Sequence, residues 1–276
     1  MNTFNTICSA IFDILLAPFG VGRSWSPWVD IVLWSVLGGI VALLVYKKVS
    51  NQAGIARTKN EIKVHLLEIR LYKDDILGVF TSTAKILLKN LLYLGHNMLP
   101  MVVMIVPMMA ILIQLVAVYG LDPIEPGTTQ LLKAKLDPAH SSVPATQVRL
   151  DLPPGIVLDA PPVRTADGEI AWRLTMAEPG DHTVTLHVGG AEIRKQLAVG
   201  GERRKIPALR TKSWEGLLYP GEDMLPSDSP VSEIRTAYPT RDLGWMPGGE
   251  GGILLTFFVL SIAAGLALKG VFNVTL

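Results

Sequence analysis

The sequence predicts an α-helical membrane protein, three transmembrane helices plus a cytoplasmic helical hairpin, with an inserted all-β, sandwich-like external domain. Three observations predict it. Apolar runs at 29–46, 93–120 and 251–268 are each long enough to cross hydrocarbon of about 30 Å at about 1.5 Å per residue. Between the first two runs lies a basic stretch with helical periodicity. Between the last two lies a polar stretch of strand-like alternation, broken by Pro and Gly. Composition agrees, since 49% of the residues are hydrophobic and only 18% are charged.

Charge sets the expected topology. The net charge of +1 conceals a segregation: residues 47–96 hold nine Lys/Arg against four Asp/Glu, and residues 121–250 hold fourteen against eighteen. The positive-inside rule then puts the hairpin and the C-terminus in the cytoplasm, and the N-terminus and the β-domain outside. The expected setting is a bacterial inner (plasma) membrane. The single cysteine, Cys8, excludes an intrachain disulfide and a Cys-rich metal site. It lies in an apolar stretch with no His nearby and reads as a small hydrophobe.

Residues 1–22 read as an interfacial amphipathic helix. Ile7, Ala10, Ile11, Ile14 and Leu15 share a face, Asn5, Ser9 and Asp13 lie elsewhere, and Pro18 and Gly20 end it. A plain packing helix is the alternative. With no basic leading region, and with Asp13 interrupting the apolar run, a cleaved signal is not expected.

Residues 23–120 hold the first two spans and the hairpin. Trp25 and Trp28 mark an interfacial aromatic belt before the first span, and Lys47 and Lys48 follow it. Asp30 reads as an interfacial carboxylate at the outer edge, and Gly38-Gly39 lets another helix come close. Residues 52–95 read as two helices joined near Asp74-Asp75. Ile55, Ile62, Leu66 and Ile69 form a stripe on the first, and Ile76, Phe80, Thr83, Leu87, Leu91 and Leu94 form one on the second. Each helix is expected to cover the other's apolar face. The second span contains Pro100 and Pro107, which a span tolerates because neighbouring helices satisfy the freed carbonyls. Met98, Met101, Met104, Met108 and Met109 make it deformable, and Asn97 and Gln114 are its few polar residues.

Residues 121–202 read as the external β-sandwich-like domain, with strands expected at 146–152, 169–175, 182–188 and 191–199. Gly189-Gly190 is a two-residue hairpin signal, and Trp172 is the expected core aromatic. His182 and His187, five apart, fall on opposite strand faces and form no zinc site with His140. Residues 203–250, with Arg203-Arg204-Lys205, many prolines and the aromatics Trp214, Tyr219, Tyr238 and Trp245, read as an irregular external segment that wraps the sandwich or binds another subunit. Residues 251–276 are the third span and the C-terminus, with Lys269 on the cytoplasmic side.

No catalytic chemistry is legible. The chain has no GxGxxG, GxxxxGK[ST], HExxH or GxSxG motif and no pair of carboxylates in a plausible pocket. The expectation is a non-enzymatic protein with no cofactor, no metal and no direct nucleic-acid contact. Asp30 is the sole carboxylate within reach of the spans, which speaks against an ion-coupled transporter.

The order of elements resembles the YidC/Oxa/Alb-type membrane protein insertase superfamily, including its minimal three-span members. Residues 46–63 (YKKVSNQAGIARTKNEIK) look like the polar entry to that family's cytoplasmic hairpin. Leu99-Pro100, followed by Pro107-Met108-Met109-Ala110, looks like its LP…P signature. The resemblance covers about residues 5–120 and the last span, and the β-like region lies outside it. Two departures stand out. Six residues separate the prolines where the bacterial pattern has five, and residues 29–46 lack the groove arginine of many bacterial members.

The resemblance implies a groove that lowers the cost of taking polar flanks through hydrocarbon, several kcal/mol for each unsatisfied group. The candidate client-contact residues are then Ser35, Asn97, Met101, Met104, Met108 and Gln114, and the cytoplasmic basic contacts are Arg57, Lys59 and Lys63. The implied partners are membrane lipids, client transmembrane segments or nascent chains, and another membrane subunit or a second copy. The competing expectation is a membrane-anchored scaffold whose external β-domain docks a partner complex.

Overall fold

Long apolar stretches and short alternating ones take separate paths in the computed structural model, which describes residues 2–16, 27–72, 74–138, 144, 148–165 and 168–274. Pro18, Gly20, Trp25, His140 and the first residues of the strand expected at 146–152 lie outside those residues, as do the side chains of Asn5, Ser9, Asp13 and Leu15. The helices are α1 (Asn2–Leu16), α2 (Pro27–Val49), α3 (Gln52–Leu71), α4 (Ile76–Tyr119) and α5 (Gly249–Leu268). Three of them, α2, α4 and α5, are long and apolar enough to cross a membrane. The chain divides into two compact units: Val32–Ile111 with Phe257–Leu276, and Met1–Ile31 with Leu112–Thr256.

In the first of these, α2 and α5 meet through small residues. A Cβ on Gly39 would stand 2.5 Å from the Ser261 carbonyl oxygen, so only glycine allows this approach. The Ser261 hydroxyl donates to the carbonyls of Ser35 at 3.0 Å and Phe257 at 2.6 Å. At the other end Leu43, Tyr46, Ile55 and Val274 are buried together, with Tyr93 and Met104 against them. The Lys47 ammonium there donates to the Phe272 carbonyl at 2.8 Å.

Two expectations for the hairpin are corrected. A hairpin helix and a separate span were expected, but Ile76–Tyr119 is one helix of 44 residues that runs through Pro100 and Pro107. At about 1.5 Å per residue it is about 66 Å long, roughly twice the hydrocarbon thickness. The apolar stripes also do not cover each other. The α3–α4 seam is polar: Lys89 pairs with Glu61 at 2.7 Å, and Ser82 donates to Glu68 at 2.9 Å. Ile76, Phe80, Leu87, Leu91 and Leu94 lie about half a turn round α4 from Ser82 and Lys89, and all are exposed. Of the α3 stripe, Ile55 is buried, Ile62 and Ile69 are half-buried and Leu66 is exposed.

The second unit carries two antiparallel sheets over one core. The strands are β1 (Thr129–Leu136), β2 (Arg149–Asp151), β3 (Ile156–Arg164), β4 (Glu169–Met176), β5 (Gly180–Val188), β6 (Ala191–Val199), β7 (Leu209–Thr211) and β8 (Val231–Thr236). One sheet has the order β3-β4-β1-β8-β7 and the other β2-β5-β6. Inward residues of both, including Leu132, Trp172, Leu174, Val184 and Leu197, form one buried cluster. Gly189 and Gly190, at φ 58° and 85°, make the tight β5–β6 turn, a backbone region that residues with a Cβ rarely adopt.

The expectation of an irregular 203–250 is also corrected. This segment supplies β7 and β8, and β8 lies inside the five-stranded sheet. The rest covers the free edge of β6 with side chains. The Glu222 carboxylate accepts from the Gln196 amide at 3.0 Å, and the Tyr238 hydroxyl accepts from the Ala198 amide at 3.1 Å. Arg210 donates to the Arg194 carbonyl. An edge capped in this way offers no template for another strand.

Candidate functional site

The helical unit encloses a cavity of about 590 Å³ between α2, α4 and α5. Apolar residues repeating every three to four positions along α4 build one wall: Met101, Met104, Ile105, Met108 and Met109. Gly39, Ala42 and Leu43 of α2 form a second, and the small side chains there leave the space empty. Ile262, Gly265 and Leu266 of α5 form the third. Met101 and Ile105 on α4 and Ile262 and Leu266 on α5 are all exposed, so the cavity opens sideways between these two helices.

Three of the polar groups in the lining have hydrogen-bond partners within the protein. The Tyr46 hydroxyl donates to the Asn97 side-chain oxygen, and the Asn97 amide donates to the Tyr93 carbonyl at 2.6 Å. The third polar group, the Ser261 hydroxyl, is held by the two carbonyls named above. The surface left for a guest is almost wholly apolar, and unbranched methionines let it repack around different shapes.

Four of the six expected client-contact residues are brought together here: Asn97, Met101, Met104 and Met108. The other two are not. Ser35 and Gln114 are buried and absent from the lining. Each was chosen as a polar residue inside a span, and such residues generally serve helix–helix contacts. The basic candidates lie on α3, away from the lining; Arg57 pairs with Glu61 at 3.2 Å, and Lys59 and Lys63 are exposed.

Sequence reasoning missed Tyr46, Tyr93, Met109 and the α5 wall. A tyrosine at the end of an apolar run was an available signal for Tyr46, and its place one turn before Asn97 was one for Tyr93. The α5 wall had none, because that helix is apolar all round, with a mean hydropathy of 2.2.

Charged groups cluster elsewhere. In β6, Lys195 points inward and is 1% exposed, with its ammonium on the Glu222 carboxylate at 2.7 Å and on the Pro207 carbonyl. Burial pushes the Lys195 ammonium below its usual value, against the pull of Glu222. His187 bonds Asp151 at 2.9 Å, while His182 bonds the Glu178 carbonyl at 2.9 Å. Among the described residues, no group of three or more His, Cys, Asp or Glu is placed to hold a metal ion.

Just beyond the end of α4, the Arg241 guanidinium reaches Asp122 at 2.9 Å, and the Arg241 backbone amide donates to the Gly120 carbonyl at 3.2 Å. The Ile206 amide donates to the Ala117 carbonyl at 3.1 Å. These bonds seat the strands of this unit on the end of α4. Comparison with family models, with curated proteins and with solved structures finds no match to this chain.

Proposed function

We propose that this protein is a non-enzymatic membrane protein insertase or intramembrane chaperone, of the kind its element order resembles. The observation that supports this most is the methionine-lined, laterally open cavity of about 590 Å³. An almost wholly apolar lining, with Tyr46, Asn97 and Ser261 paired within the protein, favours the apolar face of a client helix over its charged flanks. A guest of that kind gains about 25 cal/mol for each Å² of apolar surface it buries. The exposed stripe of α4 from Ile76 to Leu94 runs on, with the same helical phase, into Met98, Met101 and Ile105. An apolar strip outside a span is costly in water unless a partner covers it. In this reading the hairpin and C-terminus face the cytoplasm of a bacterial inner membrane and the β-domain faces outward, following the basic excess of residues 47–96.

A second reading is an anchored scaffold. It is favoured by the size of the β-unit and by its hydrogen-bonded seat on α4. One experiment separates the two. A photocrosslinking residue is placed at position 104 or 108 of the full chain, with position 259, on the exposed side of α5, as control. The insertase reading expects adducts with nascent membrane segments from 104 and 108 above the control. If those adducts are absent, and depletion leaves client insertion normal while an external complex dissociates, the scaffold reading replaces it.

A further inference from the structure

Trp245 is held on display by the turn that carries it. Leu243 and Met246 are bridged across a two-residue turn, and both are buried. Gly244 takes φ 70° at the first turn position, a backbone state that glycine adopts freely, and its amide is held by Asp242 at 2.8 Å. The turn is thus pinned from inside by two apolar side chains, and it holds the intervening indole 74% exposed. Trp28, itself 41% exposed, meets it edge to face with ring centroids 6.4 Å apart. The two rings stand at matching places in the chain. Trp28 is in the first turn of α2, and Trp245 comes just before Gly249, where α5 begins. Both helices are apolar enough to cross a membrane.

We propose that the Leu243–Met246 turn is a membrane-dipping anchor, with Trp245 and Trp28 together occupying the glycerol and headgroup layer of the outer leaflet. An indole suits that layer because its apolar body enters the acyl region while its N–H finds an acceptor among the headgroups. The edge-to-face contact gives both rings one depth, so the turn fixes how high the outer strands stand above the bilayer. A sequence search for an aromatic belt stops at Trp25 and Trp28. Trp245 lies more than 200 residues on, in a segment read as irregular, and only the turn brings it to Trp28. The proposal requires that α2 and α5 cross a membrane, and it holds whether or not the cavity receives clients.

The test uses the full chain in vesicles of phosphatidylcholine and phosphatidylglycerol. In a Cys8→Ser background, spin labels are placed by Trp245→Cys and, as a solvent control, by Trp214→Cys, an exposed position in the β-unit. At 245 the label is expected to collide with oxygen in preference to a water-soluble nickel chelate, with chelate access several-fold below that at 214. In parallel, quenching of indole fluorescence by brominated phospholipid is compared between the unaltered protein and Trp245→Phe. The unaltered protein is expected to lose a component that Trp245→Phe lacks. Equal chelate access at 245 and 214, together with equal quenching in both proteins, overturns the proposal. So does dipolar broadening between labels at 245, which would place a second copy on the turn.

Discussion

The Tyr119 hydroxyl donates to the Asp30 carboxylate at 2.6 Å, and both side chains are fully buried. The bond ties the end of α4 to the first turn of α2, and the other Asp30 carboxylate oxygen has no hydrogen-bond partner among the described residues. A buried acceptor deprived of its donor carries its full desolvation cost, about 1–3 kcal/mol and more where the group is charged. Tyr119→Phe is therefore expected to lower the melting temperature of the detergent-solubilised protein. Adding Asp30→Leu is expected to recover much of the loss, because the orphaned charge goes with it. A double variant as unstable as the single one would show that the bond is not the source.

Lys195 and Glu222 predict a sharper asymmetry. Removing one partner of a buried ion pair leaves an uncompensated charge and costs roughly 3–5 kcal/mol, whereas replacing both with apolar residues is often close to neutral. Glu222→Gln should lower the denaturant midpoint of the full chain strongly. Lys195→Met with Glu222→Leu should restore most of it, less the two bonds that Glu222 and Lys195 make to the Gln196 amide and the Pro207 carbonyl.

The hairpin should respond to acid. The Lys89 hydrogen bond holds the Glu61 carboxyl below the ordinary 4.5, and the His65 bond, then that of Ser82, does the same for Glu68. The part of each shift that comes from α4, Lys89 on Glu61 and Ser82 on Glu68, favours closure at pH above 4.5, and this contribution disappears as pH falls through the depressed values. Distances between spin labels on α3 and α4 should be steady at neutral pH and lengthen in acid. Replacing both carboxylates by Glu61→Gln and Glu68→Gln should flatten the profile, with the seam weakened at every pH.

Filling the cavity separates its role from its stability. Ala42→Leu adds three carbons facing open space, so the melting temperature should hold or rise as apolar contact is gained. Crosslinks from position 104 to client segments should fall. Crosslinking at the unaltered level would show that guests do not enter between α2 and α4.

The outline of the molecule was legible, and its pairings were less so. The alternation in 182–199 and the Gly189-Gly190 signal led directly to β5 and β6, because a two-residue turn fixes register locally. β8 was missed because its six residues, VSEIRT, stand among prolines and serines, and nothing local says that they pair with β1. Lys195 carried an unread signal. A lysine at an inward position between Ile193 and Leu197 demands a buried counter-charge, though not the location of Glu222. In the hairpin, periodicity revealed the apolar stripes correctly, but it cannot say which side of a helix its neighbour takes. Glu61, Glu68, Ser82 and Lys89 decided that. At the cavity, methionine spacing along α4 marked one wall, whereas Ser35 and Gln114 were polar for packing reasons that sequence does not distinguish from binding.

The position of β8 has a consequence in time. Leu132 of β1 pairs with Thr236 of β8, so the first strand of the five-stranded sheet to be synthesised waits for the last. Contacts so far apart in the chain close slowly, since the intervening loop must be ordered before they form. On a ribosome, β1 would remain half-paired until the chain had emerged as far as β8. Only twelve residues, 237–248, then separate the completed sheet from the start of α5. The closing of the β-unit and the emergence of the last apolar helix thus fall at nearly the same moment of synthesis, and a delay in either leaves an open strand edge in the other's path.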